Sequence, residues 1–308
     1  MENIVDSFTN KNRLTRISGI SNLLLNTIFM AGVVICIAPL LLVIIISFTE
    51  EKSLLLKGYS FFPDQFSIKA YDYVISASDV IYRAYGISIF VAVVGTLLSM
   101  MVICFYAYPL SRQSFKYKSQ FSFFAFFTMI FGGGLVPWYV VYTQLIPLKN
   151  KIWIMIIPYL MNTWFMMIMR TFFKTTINEA IIESARIDGA GEYRTFFTIV
   201  LPLCRAGLAT IGLFSVLNYW NDWYLPLIFI TQSKLYNVQY LMYQTLMSIQ
   251  YLMNGSAQFS EASSAMANLP SEGARMVVAV LSIGPIILAY PFFQKYFVKG
   301  LTIGAVKG

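Results

Sequence analysis

The residues able to do chemistry fall into two short groups. The first is Asn178-Glu179-Ala180-Ile181-Ile182-Glu183-Ser184-Ala185-Arg186-Ile187-Asp188-Gly189-Ala190-Gly191, a polar stretch between apolar runs. The second is Asn218-Tyr219-Trp220-Asn221-Asp222-Trp223, where Asp222 is the one charge inside an apolar run. An Asp at mid-membrane costs about 2.5–3.5 kcal/mol on insertion scales, so such a residue faces a cavity or a partner. Amide and carboxylate groups bond sugar hydroxyls, and aromatic faces cover the apolar face of a sugar ring, so this mixture suits a carbohydrate. The alternative is an aromatic belt at the membrane interface with Asp222 paired to a neighbouring helix. Histidine is absent, which excludes Ser-His-Asp and Cys-His catalysis and every His-ligated metal site. Cys36, Cys104 and Cys204 are far apart, odd in number and flanked by apolar residues. They are expected to be small buried hydrophobes, not a disulfide framework.

The elements around these groups are membrane helices. Only 12% of the 308 residues are charged, 58% are apolar, and the mean hydropathy is +0.67. A soluble domain carries about 25% charged residues. A bilayer core requires about 20 mostly apolar residues per helix. Runs free of Lys, Arg, Asp and Glu cover 22–48, 84–110, 119–148, 152–169, 206–232 (interrupted only by Asp222) and 276–294. They predict an all-α membrane domain of six spans, 22–294, with a tail at each end, 1–21 and 295–308. The first run is too long for a signal peptide and is closed by no small-residue cleavage site, so it is expected to be retained. Lys and Arg are denser in the N-terminal tail, the second and fourth connections and the C-terminal tail than in the other connections. Both termini are therefore expected to be cytoplasmic. The same bias accounts for the pI of 9.3 without a nucleic-acid partner.

The fourth connection, 170–205, predicts a helix-turn-helix elbow on the cytoplasmic face. Asn178 is placed to cap a helix and Glu179 suits its positive start. Ile181, Ile182, Ala185 and Ile187 would give one docking face, and Gly189 and Gly191 would end the helix. A second short helix follows at about 192–200, and Leu201-Pro202 marks the start of the next span. Such an elbow either meets a partner or lies in the interface touching lipid. In the third run, Gly132-Gly133-Gly134 followed by Pro137 predicts a break or kink, serving either gating or close helix packing over small residues. No Gly-x4-Gly-Lys-Ser/Thr phosphate loop occurs, since the glycine triplet is not followed by Lys, so ATP is not bound by that route.

Glu183-Ser184-Ala185, three residues, Gly189, nine residues, Ile199, one residue, then Leu201-Pro202 resembles the EAA signature of ABC importer permeases, with Ser184 in place of Ala. Further likenesses are to carbohydrate permeases at Asn218–Trp223, to the oligosaccharide-importing subgroup at Gly133–Pro137 and Met169–Phe173, and to the maltose-type second permease subunit at Tyr290–Gly308. The resemblance covers nearly the whole chain and is weakest over the N-terminal tail and first external loop.

The resemblance implies a type I importer permease in a prokaryotic cytoplasmic membrane, moving an oligosaccharide by alternating access without chemistry on it. It implies a second, homologous permease, a cytoplasmic ATPase dimer that uses ATP and Mg, and an extracytoplasmic solute-binding protein. This chain would bind no cofactor of its own. Glu179, Glu183, Ser184, Ala185, Asp188 and Gly189 would form the ATPase-coupling helix. Glu183 would make the polar contact and Gly189 the sharp turn, while Asp188 is equally a helix-end cap. The external loop 233–275 would meet the binding protein, although Tyr240, Tyr243 and Tyr251 could instead pack a helix there. The last residues, Gly304–Gly308, would reach the ATPase dimer. Asn218, Tyr219, Trp220, Asn221, Asp222 and Trp223 are pathway candidates, although in the maltose-type system the sugar contacts lie mainly in the other permease. The rival is an ion-coupled secondary sugar transporter, for which Asp222 alone is a thin proton relay and which leaves the elbow without a purpose.

Overall fold

The computed structural model describes residues 19–75, 78–256 and 272–284, with 287, 291 and 294. Most of the tails 1–21 and 295–308, part of the external loop and much of the sixth run therefore lie outside the described residues. The described residues are mostly helical, joined by turns and irregular connections, with one isolated bridge between Thr49 and Phe66 and no strand. This follows from the solvent: in hydrocarbon a chain must satisfy its backbone N–H and C=O groups internally, and a helix does so locally.

The chain divides into two compact units. One contains residues up to Asp72 together with Pro270–Val280. Its long helix, Gly19–Ser47, has Pro39 inside and exposes most of its apolar side chains, Ile20, Phe29 and Ile35 among them. Cys36 is exposed on it, which corrects the expectation that all three cysteines are buried. Beyond it the Glu51 carboxylate accepts the backbone N–H groups of Glu272 (2.9 Å) and Gly273 (3.0 Å). Those N–H groups belong to the first turn of helix 272–284 and have no partner within that helix.

The other unit contains Tyr73–Leu269 and Leu281 onward. Its spine is the helix Ser78–Ser111, which packs mainly against Arg205–Trp220 and Thr163–Thr176. One core cluster gathers Ile103, Cys104, Met169, Phe173, Ile182, Phe196 and Cys204. The other gathers Val91, Ile154, Met155, Tyr219, Trp220 and Phe229. Two glycines make the helix contacts close. A Cβ on Gly95 would lie 2.8 Å from the Tyr219 ring, and one on Gly207 would lie 2.7 Å from Phe172.

Unbroken spans are fewer than the hydropathy runs predict. Among the described residues, only Gly19–Ser47 and Asp79–Ser111 are long and apolar enough to cross a membrane as single helices. Three further pairs qualify only as bent spans. Lys118–Ile130 and Leu135–Leu145 meet at 109°, Ile152–Tyr159 and Thr163–Thr176 at 51°, and Glu192–Leu203 and Arg205–Trp220 at 82°. The glycine triplet causes the first bend: Gly134 has φ +83°, and a Cβ on Gly132 would meet nothing within 4 Å. The triplet therefore serves the break. The helix Thr163–Thr176 continues past Met169, where the uncharged run stops, and Arg170 on it donates to the Leu110 carbonyl at 3.1 Å.

Candidate functional site

The elbow forms as its local chemistry dictates. The Asn178 side chain accepts the Ala180 N–H at 3.1 Å and starts the helix Glu179–Ile187. At the far end the Gly189 N–H bonds the Arg186 carbonyl (3.0 Å) and the Ala190 N–H bonds the Ala185 carbonyl (2.8 Å). This pair of bonds is the Schellman stop, which needs a left-handed residue at its centre. Gly189 supplies it with φ +77°, and a Cβ there would meet nothing within 4 Å. The glycine is thus required for backbone conformation and not for space. The second helix starts at Glu192 and passes into a π-turn at Phe196–Val200. Ser184, the one departure from the signature, bonds its hydroxyl back to the Ala180 carbonyl at 2.9 Å.

The docking face is narrower than expected. Ile182 is buried in one cluster with Phe173, Phe196 and Val200, and Ala185 is buried as well, whereas Ile181 and Ile187 are exposed, Ile187 at 87%. Glu183, Ser184, Asp188 and Gly189 are exposed on the other side, and Asp188 is the helix C-cap residue. Glu179 has an intramolecular partner, Arg112, at 2.9 Å. Arg186 pairs with Glu192, which also accepts the Tyr108 hydroxyl at 3.2 Å. The Arg186 hydrogen bond holds the Glu192 carboxyl below the usual carboxylate range, and the pair holds the guanidinium above its own. An apolar cavity of about 660 Å³ lies beneath, walled by Phe105, Tyr108, Phe115, Tyr193 and Phe196.

The second group does not form one continuous face. The helix stops at Trp220 and the next starts at Tyr224. Asp222 sits in this break at 6% exposure. Its Oδ1 accepts the N–H groups of Tyr224 (3.1 Å) and Leu225 (3.2 Å) and the Tyr159 hydroxyl (3.3 Å). Asp222 is therefore a helix cap. Its other oxygen, Oδ2, is buried with no hydrogen-bond partner. Asn237 braces the break by donating its amide to the Asp222 carbonyl. Tyr219 and Trp220 are core residues, which corrects their placement as pathway candidates. Tyr219 is 1% exposed and donates to the Ile156 carbonyl at 3.1 Å, and Trp220 donates to the Ser282 carbonyl at 3.0 Å. Asn218, Asn221, Asp222 and Trp223 do come together. With Phe165 and Phe214 they line a cavity of about 440 Å³. Phe165 stacks on Phe214 with centroids 5.9 Å apart. Trp223 stacks on Tyr243 at 4.6 Å, and Tyr251 is exposed.

Several of these partners escape a reading of the sequence. Arg112 stands there as one more topogenic charge, and Tyr159, Phe165 and Phe214 as ordinary membrane aromatics. Asn237 had a local signal, an Asn directly before an apolar helical run, and its Oδ1 does accept the Tyr240 N–H at 3.0 Å. Among the described residues no cluster of His, Cys, Asp or Glu could hold a metal ion.

A broken-helix bundle that projects an ordered elbow between its fourth and fifth runs defines a transport subunit. The family profile described as the binding-protein-dependent transport system inner membrane component matches residues 84–303. The chain belongs to this family, the permease component of ABC importers. It is 34% identical to the polygalacturonan/rhamnogalacturonan transport system permease protein YtcP of Bacillus subtilis over 89% of this chain and 93% of that one. It is 35% identical to Protein LplC of the same organism, over 92% and 94% of the two chains. A solved structure of a bacterial ABC transporter that imports the acidic polysaccharide alginate matches with TM-score 0.75 and 26% identity, over 92% of this chain and 98% of that one.

Proposed function

We propose that this chain is one half of the membrane pathway of an oligosaccharide importer in a prokaryotic cytoplasmic membrane. Its partners are a second permease, a cytoplasmic ATPase dimer and an external solute-binding protein. The chain has six spans and both its termini are cytoplasmic. The elbow is the coupling helix. The carrying observation is that Glu179–Ile187 is capped at both ends yet turns Glu183, Ser184 and Asp188 away from its own chain. An ordered helix presenting an unpaired acid is shaped for a protein surface and is poorly suited to lipid. The cavity at the break supplies the Asn218 and Asn221 amides and aromatic faces to a sugar. Relatives whose names specify polygalacturonan/rhamnogalacturonan, arabinooligosaccharides and trehalose/maltose support a carbohydrate cargo. The ion-coupled rival loses ground at Asp222, whose Oδ1 is committed to capping a helix.

The test is mass spectrometry of what co-purifies with the tagged chain, gently extracted from its native membrane. A second permease and an ATPase are expected. ATP hydrolysis should then rise when the binding protein and its oligosaccharide are added. Recovery of the chain alone, or only with copies of itself, would overturn the proposal.

A further inference from the structure

Arg112 lies one residue past the spine helix Ser78–Ser111 and is 6% exposed, unusual for a guanidinium at the end of a span. Its Nη2 stands 2.9 Å from Glu179 Oε1, at the start of the elbow. The contact is an ion pair, since its angle makes no aligned hydrogen bond. One turn back along the spine, Tyr108 donates to Glu192 at the start of the second elbow helix, and Arg186 closes that pair from the first. The spine end is thus tied to both arms of the elbow, beside cavities of about 660 and 360 Å³ that both touch Arg112. Ile182, Phe196 and Val200 pack the elbow into the core beside Ile103 and Tyr108 of the spine, and these polar ties add an anchor at each arm. Arg112 is the buried member of its pair, whereas the Glu179 side chain is 37% exposed, and removing the partner of a buried charge leaves that charge uncompensated.

We infer that Arg112 is a positioning residue for energy coupling: with Glu179 it locks the elbow to the spine helix, so that a push on the elbow moves the spine helix instead of being absorbed by a pivot. This rests on the proposal that the elbow meets an ATPase.

The test uses the complete transporter in proteoliposomes, with oligosaccharide carried per ATP hydrolysed as the readout. Arg112→Gln is expected to lower that ratio by about tenfold while the ATPase stays bound and active. Arg112→Lys, which keeps the charge but not the fork, should fall between. The exchange Arg112→Glu with Glu179→Arg should restore at least half of the ratio, which a purely structural role would not predict. If the single variants do not assemble, the exchange variant decides. Assembly with coupling supports the lock, and assembly without coupling overturns it. An unchanged ratio in Arg112→Gln also overturns it. Failure of the wild-type chain to bind any ATPase would instead strike at the proposed function.

Discussion

The elbow at 178–204 and the break at 221–223 both interrupt helices, and both place acids near a helix start, but they use those acids in opposite ways. At the break, Asp222 is buried and its Oδ1 serves two backbone N–H groups and a hydroxyl. At the elbow, Asn178 does the capping and Glu183 is left exposed. The motif acid that the fold does not use is the one available to a partner, and the intramembrane acid that looks functional is first of all architectural. Burial with one carboxylate oxygen committed to the backbone separates the two cases where charge alone does not.

The sharpest way to break this contrast is Asp222→Ala. It strands two N–H groups and the Tyr159 hydroxyl, so it should cost roughly 2–4 kcal/mol. Thermal unfolding of the purified transporter reads this as a fall in Tm, with Asp222→Asn in between. A normal Tm with uptake lost would reverse the assignment and make Asp222 a pathway group. Next comes Gly95→Ala, whose methyl group would press on the Tyr219 ring behind the break; overpacking of this kind costs about 1–3 kcal/mol. Gly189→Val should cost the elbow about 1–2 kcal/mol in backbone conformation alone, and Gly189→Asn less, because Asn tolerates a left-handed backbone. Glu183→Ala should leave unfolding within about 0.5 kcal/mol of wild type, while oligosaccharide uptake into proteoliposomes falls. A stability loss equal to that of Asp222→Ala would erase the contrast.

The smallest effect is a pH dependence. The carboxyl of Glu192 is held low by Arg186, so its contribution is full above the unfolded carboxylate range and is lost as pH falls through the lowered folded value. Glu192→Gln should lower Tm slightly at neutral pH and above, and should flatten the acid-side fall of Tm. A greater acid sensitivity in the variant would be the opposite sign.

What was legible in the sequence follows the range of the forces. The elbow is written locally, with an Asn cap, an acidic first turn and a glycine stop, and the structure follows it nearly residue by residue. The glycine triplet announces its bend for the same reason. The break at 221–223 is hidden because apolar and aromatic residues continue on both sides of it, so hydropathy runs straight across. Tyr219 and Trp220 look like sugar-facing aromatics until the Ile156 and Ser282 carbonyls are found behind them, 63 and 62 residues away in the chain. Arg112 reads as a topology signal because its partner on the elbow is set by packing. Gly95 and Gly207 carry no local sign of the rings pressed against them.

Helix Gly19–Ser47 has a consequence for how the protein is made. At about 1.5 Å per residue, its 29 residues reach about 43 Å, well beyond a hydrocarbon core of about 30 Å, and none of its apolar window is buried in the protein. It needs no neighbour to be at home in lipid, so it can leave the translocon alone while the ribosome is still at work, and its excess length is taken up by tilt. The bent pairs cannot do this, because their breaks expose backbone groups that only packed protein satisfies. The expected order is insertion of helix Gly19–Ser47 first and collective folding of the broken helices later.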